Sequence, residues 1–407
     1  MTAPGPTTTD GAAATAGTQG PRRPARRRAP VVVAGVVLLA LVVGLVVWLL
    51  TRPETVRPED FGAVGDGVAD DTAALQTTLD ALEPGQRLEL AEGSTYTHAD
   101  VLVLTVPDVH VTGGGELRAT DEERSSFRVE ADDVEISDLL LTVPETTRRW
   151  DATEQQRLLL RGTTGVEVRD VTVRGSAAAG IFLDGASSDF LLEDVVVEGT
   201  RADGIHVSGG SHDGRVVDAT TRDTGDDGIA VVSYAQDGAP SARVEVESPV
   251  VRGSAARGLS VVGGEDVTWT DVDVEGTGAA GVYVAAEGDP YFTTSVARVV
   301  LDGGRVADAN TDEGIDHGAV LVYDGSSESS VSDVTVEDLE VVGTRASASR
   351  QVGVIADGGG ETITGVTLTG LAVEGGPDGL LSAPAATDVD VSGWTRDGED
   401  VDPLAGG

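Results

Sequence analysis

The sequence predicts an all-β fold, a right-handed parallel β-helix in which short strands wind into a solenoid. Short segments such as VEVRDVTVRG (166–175) and VTVEDLEVVG (334–343) alternate apolar and polar residues, which is typical of half-buried strands. A second strand then follows a glycine in each repeat, and these glycines are 24, 24, 30 and 23 residues apart: Gly180, Gly204, Gly228, Gly258 and Gly281. Self-similarity at such a period indicates a solenoid.

The glycine spacing also predicts how the strands stack. One turn holds two or three strands, and consecutive turns lie about 4.8 Å apart. A β-propeller would need four strands in a repeat of about 40 residues, and the observed spacing excludes it. We expect the apolar residue after each glycine to point inward and the next residue to point outward: Phe182, His206, Ala230, Ser260 and Tyr283. Weaker copies of the repeat begin at Gly318, Gly353 and Gly379.

The N-terminal region predicts a membrane anchor. Residues 31–50 are uncharged and predominantly apolar, and about 20 such residues cross a bilayer as a helix. We therefore expect a disordered basic tail at 1–29 and a transmembrane helix at 30–50. Five arginines between residues 22 and 28 predict a cytoplasmic N-terminus and an extracellular β-helix. A cleaved signal peptide, with a shorter apolar region, and a buried core helix are the alternatives.

The amino-acid composition restricts the classes of ligand that the chain can bind. The chain has 407 residues and a formal net charge of −41, which argues against nucleic acid and anionic lipid. Calcium, cationic surfaces and neutral glycans fit this charge, as does a role in solubility alone. The chain has no cysteine, so disulfides and thiolate chemistry are excluded. All 28 basic residues are arginine.

Residues 51–100 are predicted to cap the β-helix, which we expect to span 101–400 before a short tail at 401–407. A turn-rich segment leads into a helix whose N-cap is Asp70 or Asp71. Leu75, Leu79 and Leu82 have the spacing of one apolar helix face, and a solenoid needs such a cap on its first turn. Phe61 is expected to be buried there with Leu75.

The segment 60–76, DFGAVGDGVADDTAALQ, closely resembles the N-terminal signature of the pectate-lyase-like right-handed β-helix superfamily. This superfamily includes rhamnogalacturonase- and polygalacturonase-like proteins of the glycoside-hydrolase type. The resemblance implies the fold, but it implies little about the reaction because the signature belongs to the cap.

The resemblance continues at two later motifs. Polygalacturonase-like enzymes carry Asn-Thr-Asp-Gly and Gly-Asp-Asp motifs on consecutive turns, and this chain has ADG at 202–204 and GDDG at 225–228. The resemblance therefore implies that Asp203, Asp226 and Asp227 are the catalytic acid and base residues. Carboxylates on adjacent turns would lie near the spacing that flanks a glycosidic bond, and their mutual repulsion would raise one pKa. The alternative is that these aspartates are ordinary turn residues.

Two further motifs of these enzymes are degenerate here. Arg257 occupies the position of the Gly-His-Gly histidine, and the Arg-Ile-Lys motif is missing because the chain has no lysine. We therefore do not expect galacturonate as the substrate. His206, Arg257 and Tyr283 remain candidates for substrate binding.

The sequence leaves three functions open. The first is a membrane-anchored, extracellular, polygalacturonase-like hydrolase acting on polysaccharide, which needs no cofactor. The second is a polysaccharide lyase or uronate epimerase, in which the three aspartates could hold Ca²⁺. The third is a glycan-binding or structural β-helix without catalysis. The metal and the oligomeric state are unknown from the sequence.

Two predicted loops adjoin this face. Residues 233–241 carry the extra length of the 30-residue repeat and are expected to form one wall of a substrate groove. Asp312, Glu313, Asp316 and His317 form a second acidic cluster, which is predicted to be either a solvated loop or another groove wall.

Overall fold

The computed structural model describes residues 53–357, 363–384 and 388–404. The predicted cytoplasmic tail and transmembrane helix, residues 1–50, lie outside these residues. Among the described residues, no helix is long and apolar enough to cross a membrane.

Parallel strand pairing confirms the predicted solenoid. One sheet has eleven strands, each paired in parallel with the next turn: Leu102–Leu104, Phe127–Val129, Leu158–Arg161, Ile181–Asp184, Ile205–Val207, Ile229–Val232, Leu259–Val262, Val282–Ala286, Val320–Asp324, Val352–Ala356 and Leu381–Ser382.

A second sheet of 24 strands forms the remaining faces of the solenoid. Its one antiparallel pair within the described residues joins its last two strands. The strands are Thr55–Val56, Asp66–Asp70, Arg87–Glu89, Thr95–His98, His110–Thr112, Glu116–Ala119, Glu135–Ser137, Leu140–Thr142, Glu167–Arg169, Thr172–Ser176, Leu191–Glu193, Val196–Thr200, His212–Val217, Thr220–Arg222, Ala242–Glu247, Val250–Arg252, Gly264–Glu275, Val296–Ala307, Val331–Val342, Ile363–Thr369, Ala372–Glu374, Val389–Ser392, Thr395–Arg396 and Glu399–Asp400.

The predicted capping helix spans Thr72–Ala81 and is the one α-helix in the described part of the chain. Leu75 and Leu79 on one face of this helix are buried, as is Leu82, which follows its last residue. Three 3-10 helices occupy Pro58–Phe61, Glu122–Arg124 and Ala235–Asp237.

The prediction for Phe61 is wrong, because its side chain is 37% exposed. The first 3-10 helix ends at Gly62, whose φ of 96° turns the chain. This helix buries Pro58 instead of Phe61.

The two candidate N-cap aspartates have different partners. Asp70 Oδ1 accepts hydrogen bonds from the backbone N–H and the hydroxyl of Thr72, at 3.0 and 2.5 Å. The Asp71 carboxylate accepts from the backbone N–H groups of Val64 and Gly65, at 2.7 and 3.2 Å. Asp71 therefore occupies the N-cap position and ties the preceding turn to the helix, whereas Asp70, one residue earlier, supplies the side-chain acceptor for the first helical N–H.

The repeated glycines are required by close approach between turns. A Cβ atom on Gly204, Gly228 or Gly258 would lie 2.5–2.6 Å from the carbonyl oxygen of the glycine in the next turn. Such contacts are too short for any side chain, so these positions need glycine. The strand that follows each glycine is thereby held in one register along the solenoid.

The predicted starts of the three weaker repeats, at Gly318, Gly353 and Gly379, are wrong by one or two residues. Val282 pairs with Val320, Val320 with Val352, and Val352 with Leu381. The equivalents of Gly281 are therefore positions 319, 351 and 380, not the predicted glycines. Gly318, for example, has a φ of 84° and forms the turn before the strand. The inward valines, not the glycines, set the register in these later turns.

A second apolar cluster lies outside the main core, on the outward face of the eleven-stranded sheet. It comprises Ala230, Val232, Val262, Ala280, Tyr283, Ala285 and Leu321. Residues 233–241 and 287–295 form two loops beside it, and they pair through a bridge between Tyr234 and Thr293. These loops turn one stretch of an otherwise open sheet face into a cleft.

Candidate functional site

The residues that precede the repeated glycines form one column, as the sequence register predicted. Gly204 N–H donates to the carbonyl of Asp227 at 3.0 Å, and Gly228 N–H donates to that of Arg257 at 2.9 Å. Asp203, Asp227 and Arg257 therefore lie on three consecutive turns, with Asp226 beside Asp227 on the same turn.

The three predicted catalytic aspartates are close together. One carboxylate oxygen of each lies within 4.8 Å of an oxygen of the other two. Asp203 and Asp227 are buried, at 6% and 4% exposed, whereas Asp226 is partly exposed. The cluster therefore has two shielded carboxylates and one that faces solvent.

Asp203 is held as a carboxylate by its partners. Its Oδ1 accepts from the backbone N–H of Asp227 at 2.9 Å, and its Oδ2 lies 2.5 Å from His206 Nδ1. Burial opposes the charged form, but the hydrogen bond and charge of His206, with smaller contributions from Asp227 N–H and Arg149, outweigh it. The pKa of Asp203 is lowered below its usual range as a result.

Asp227 has the opposite electrostatic balance. Its Oδ1 accepts from the backbone N–H of Arg257 at 2.8 Å, and its Oδ2 accepts from Ser260 Oγ at 2.6 Å. Burial raises the pKa of Asp227 to about 7, and the negative charges of Asp203 and Asp226 add to this effect against the opposing Arg257 guanidinium. A group with such a pKa can hold a proton near neutral pH.

Asp226 is paired with an arginine from a distant part of the sequence. Arg149 belongs to the loop 143–157, which precedes the strand Leu158–Arg161. Its guanidinium donates from Nη1 to Asp226 Oδ2, and from Nε to Asp151 at 3.1 Å. This ion pair fixes the position of the most exposed of the three carboxylates.

Arg257 and Tyr283 meet at a fourth carboxylate. Glu287 Oε1 accepts from Tyr283 OH at 2.9 Å and from Arg257 Nη2 at 3.3 Å. The Arg257 guanidinium lies 4.4 Å from the centre of the Tyr283 ring, within the range of a cation–π contact. Tyr283 is only 2% exposed, so it supports Arg257 from below; direct substrate binding by Tyr283 stays a prediction.

These residues line an open cleft of about 470 Å³. The three aspartates, His206 and Arg257 form its polar floor, while Arg149, Tyr234, Glu287 and Tyr291 line its sides. Tyr234 comes from the loop 233–241, which therefore forms a wall of the cleft as the sequence predicted.

Sequence reasoning missed several residues of the cleft. Arg149 is 77 positions from its partner Asp226, and no repeat pattern connects the two. Tyr291 and Glu287 lie in the loop 287–295, and no motif in the sequence points to either residue. Ser260 was recognised as outward-facing, but its contact with Asp227 needed the register of the turns.

The second acidic cluster combines both of its predicted forms. Asp312, Glu313 and Asp316 are exposed, whereas His317 is partly buried and its ring stacks on that of Tyr283 at 5.5 Å. Asp316 and His317 line another cleft beside the first.

The aspartate cluster offers the oxygen ligands that calcium prefers, but most of these oxygens already have hydrogen-bond partners in the protein. Calcium takes six to eight oxygen ligands. Both oxygens of Asp203 and of Asp227 have protein partners, and one oxygen of Asp226 is paired with Arg149. This arrangement does not fit a resident calcium ion unless Arg149 moves, so no chemical step is assigned to one.

Comparison with known proteins identifies the fold. No protein-family model matches the chain, and no curated protein matches it. Among solved structures, the A-module of a mannuronan C-5 epimerase from Azotobacter vinelandii is similar, with a TM-score of 0.54 and 17% identity over 84% of this chain and 96% of that chain.

Two α-1,3-glucanase structures of the GH87 type are also similar. The catalytic unit from Streptomyces thermodiastaticus has a TM-score of 0.59 and 19% identity over 86% of this chain and 70% of that chain. A catalytic domain in complex with nigerose has a TM-score of 0.64 and 14% identity over 87% and 68%. The chain thus has the right-handed parallel β-helix fold that its resemblance to the pectate-lyase-like superfamily predicted, and it shares this fold with carbohydrate-active proteins.

Proposed function

We propose that this chain is a polysaccharide-acting glycoside hydrolase that uses aspartate acid/base chemistry. The observation that carries the proposal is the cluster of Asp203, Asp226 and Asp227 in an open cleft, with oxygens within 4.8 Å of one another. Hydrolysis of a glycosidic bond needs one carboxyl group that donates a proton and one carboxylate that activates water or attacks.

The environments of the three groups suggest their roles. Asp227, with a pKa raised to about 7, donates the proton to the leaving oxygen. Asp226, which lines the cleft, accepts a proton from the attacking water. Asp203 stays ionised in its pair with His206 and maintains the negative potential that keeps Asp227 protonated. Environments that drive neighbouring pKa values apart are the usual basis of such a division.

The glucanase structures add a parallel. Complexes with nigerose or tetrasaccharides were solved with alanine in place of one of two aspartates that are 24 positions apart. Asp203 and Asp227 are also 24 positions apart, on adjacent turns of the same fold. The same spacing recurs at Asp170 and Asp194, so the choice of Asp203 and Asp227 rests on their burial in the cleft.

A panel of polysaccharides tests the proposal. The full chain is incubated with acidic and neutral polymers, and the products are analysed for new reducing ends and for the ultraviolet absorbance of unsaturated uronates. Reducing ends without this absorbance are expected. The absence of any new ends across the panel, with the protein folded, would contradict the hydrolase proposal.

A uronate epimerase or lyase is the second candidate, and the two cleft arginines favour it. Arg149 and Arg257 line the same cleft as His206 and Tyr234. An arginine could neutralise a uronate carboxylate, and a histidine or tyrosine could remove the C5 proton. An epimerase would change the ratio of uronate sugars without new chain ends, whereas a lyase would give the unsaturated product.

We further propose that the domain is displayed outside the cell on a single transmembrane helix at 30–50, with residues 1–29 in the cytoplasm. The arginines before the apolar segment support this orientation. Protease added to intact cells should remove the β-helix domain, and protection of that domain would contradict the orientation.

A further inference from the structure

A second cleft lies on the same outward face of the eleven-stranded sheet. It has a volume of about 550 Å³, and its lining includes Tyr283, Leu321, Tyr323, His317, Arg350 and Ile355. None of its lining residues belongs to the aspartate cluster. Its strands, Val320–Asp324 and Val352–Ala356, continue the sheet beyond the strand that carries Tyr283.

The two clefts adjoin at Tyr283. Arg257, from the preceding turn, lies over its ring and lines the first cleft. His317 stacks on the same ring in nearly parallel orientation, at 5.5 Å and 9°. Tyr323 lies 6.4 Å from Tyr283 at an angle of 22°, and it is partly exposed. The second cleft therefore presents the partly exposed rings of His317 and Tyr323, supported by the buried Tyr283 and by an apolar floor of Leu321 and Ile355.

The charges around this surface disfavour an acidic ligand. Arg350 is the one arginine in the lining, and it already donates to Asp316, from Nη1 to the backbone carbonyl at 2.8 Å and from Nη2 to the carboxylate at 3.3 Å. Asp357 adds a second carboxylate. Burial, together with the positive charges of Arg257 and Arg350, lowers the pKa of His317 to about 4, so the histidine is neutral near pH 7.

We propose that this second cleft is a binding subsite for neutral sugar units of a polysaccharide whose chain also enters the aspartate cleft. The partly exposed Tyr323 ring offers a flat surface for the apolar face of a pyranose, and the polar rim offers hydrogen bonds to its hydroxyls. The inference rests on the proposed function for the identity of the chain, but it adds a substrate class and a second site.

The separation of the sites sets the length of the ligand. Three steps along the sheet separate the strand Ile229–Val232, which follows Asp227, from the strand Val320–Asp324. At about 4.8 Å per step, the distance is about 14 Å. One sugar or a disaccharide does not span it, so the site selects polymers and longer oligosaccharides.

Affinity electrophoresis of the full chain tests this inference. The gels contain dextran, pullulan, laminarin or galactomannan as neutral probes, and alginate or polygalacturonate as acidic probes. The D227N variant serves as the parent, so that cleavage does not alter the probe. At least one neutral polymer should retard the parent more strongly than either acidic polymer.

Substitutions at Tyr323 locate the binding. In the D227N parent, Tyr323→Ala and Tyr323→Leu should each weaken retardation by about fivefold through loss of the ring, while Tyr323→Phe should stay within about twofold. Leucine keeps the apolar packing if alanine prevents folding, and Asp194→Asn, on another face, serves as the unaffected control.

Three results would overturn the subsite: no retardation by any neutral polymer, stronger retardation by the acidic ones, or equal retardation with and without the Tyr323 ring. Cleavage by the wild-type chain is measured separately. Retardation that depends on Tyr323 in the absence of any cleavage would remove the hydrolase and leave the subsite standing.

Discussion

Two columns of aspartates run along this solenoid with the same period and different surroundings. Asp170, Asp194 and Asp218 are 24 residues apart and lie at a corner between two strands of each turn. Asp203 and Asp227 are also 24 residues apart, but they lie at the entry to strands of the eleven-stranded sheet. The sequence spacing alone does not distinguish the two columns.

The corner aspartates are selected by backbone conformation. Their φ angles are 53°, 52° and 51°, in the left-handed region that aspartate tolerates better than most residues. Their side chains are exposed, while their N–H groups continue the hydrogen-bond ladder between turns. They therefore shape the corner, and water screens their charges.

The site aspartates interact in a less polar environment. Two like charges 4 Å apart repel by about 1 kcal/mol in water and by about 4 kcal/mol at an effective dielectric constant of 20. Asp203 and Asp227 are only 6% and 4% exposed, and this burial makes their spacing chemically significant. Burial, more than spacing, distinguishes a candidate active site from a structural corner.

Replacing the site aspartates should give the largest contrast between the columns. We expect a hydrolysis rate about 10²–10⁴-fold lower in each of three variants, Asp203→Asn, Asp226→Asn and Asp227→Asn. Each substitution removes a carboxyl group that either transfers a proton or controls the protonation of the group that does. Initial rates of reducing-end formation measure this effect.

The control is Asp194→Asn, which should leave the rate within about twofold because asparagine also tolerates the left-handed conformation. Activity that survives all three site substitutions would show that the cluster only caps turns. A loss of activity in the corner variant would show that the rate reports on the fold rather than on the site.

The next largest effect should be on stability as a function of pH. The folded-state pKa of Asp227, about 7, lies above its ordinary value of 3.8. Its protonated form therefore contributes stability that is fully present below about pH 4 and is lost as the pH rises to about 7. The Asp227→Asn variant cannot ionise at this position and so keeps its stability as the pH rises. Its free energy of unfolding, relative to that of the wild type, should therefore increase by about 2–4 kcal/mol between pH 4 and pH 7.

Urea denaturation of both proteins between pH 4 and pH 8 measures the difference. The asparagine amide can replace the protonated carboxyl group, since the Ser260 hydroxyl can rotate to accept from it. Asp194→Asn should show no comparable gain. The lowered pKa of Asp203 affects stability only below about pH 4, where protonation of this residue removes its favourable contribution. A constant difference at all pH values would contradict the raised pKa of Asp227.

A smaller effect on the hydrolysis rate is expected from substitution of Arg149, which lies in a loop outside the repeats and contacts the aspartate cluster. Arg149→Gln removes the cation that pairs with Asp226 and should lower the hydrolysis rate by about tenfold, less than the roughly 10²-fold that a 1 Å misplacement of a catalytic group can cost. Arg174→Gln is the matched control, because Arg174 pairs with Glu198 on another face. Equal rates in the two variants would mean that the ion pair has no role in the reaction.

The fold could be predicted because local sequence patterns determine it. Inward valines, repeated glycines and the cap leucines each act within one turn, so their spacing determines the register between turns. The placements that failed were Phe61, where a glycine redirects the chain, and the three late glycines, where the loop length varies.

The site was only partly predictable because it depends on loops. The column of Asp203, Asp227 and Arg257 follows from the repeat register, and His206 follows from the alternation within its strand. Arg149, Tyr234 and Glu287 come from insertions whose paths no period specifies. The cleft around Asp227 therefore appears only when these loops are placed.

The smallest expected effect concerns the corner column itself. If Asp194 is present for its φ of 52°, stability should depend on tolerance of that conformation and not on charge. Asp194→Asn should change the free energy of unfolding by less than about 0.5 kcal/mol, whereas Asp194→Ala should cost about 1 kcal/mol. Asp194→Gly should fall between them, because glycine adopts this conformation freely but gains entropy in the unfolded chain. Urea denaturation at pH 7 ranks the three variants. An equal loss of stability with asparagine and with alanine would indicate that the Asp194 carboxylate makes a stabilising interaction. The corner aspartates would then differ from the site aspartates only in the strength of their interactions.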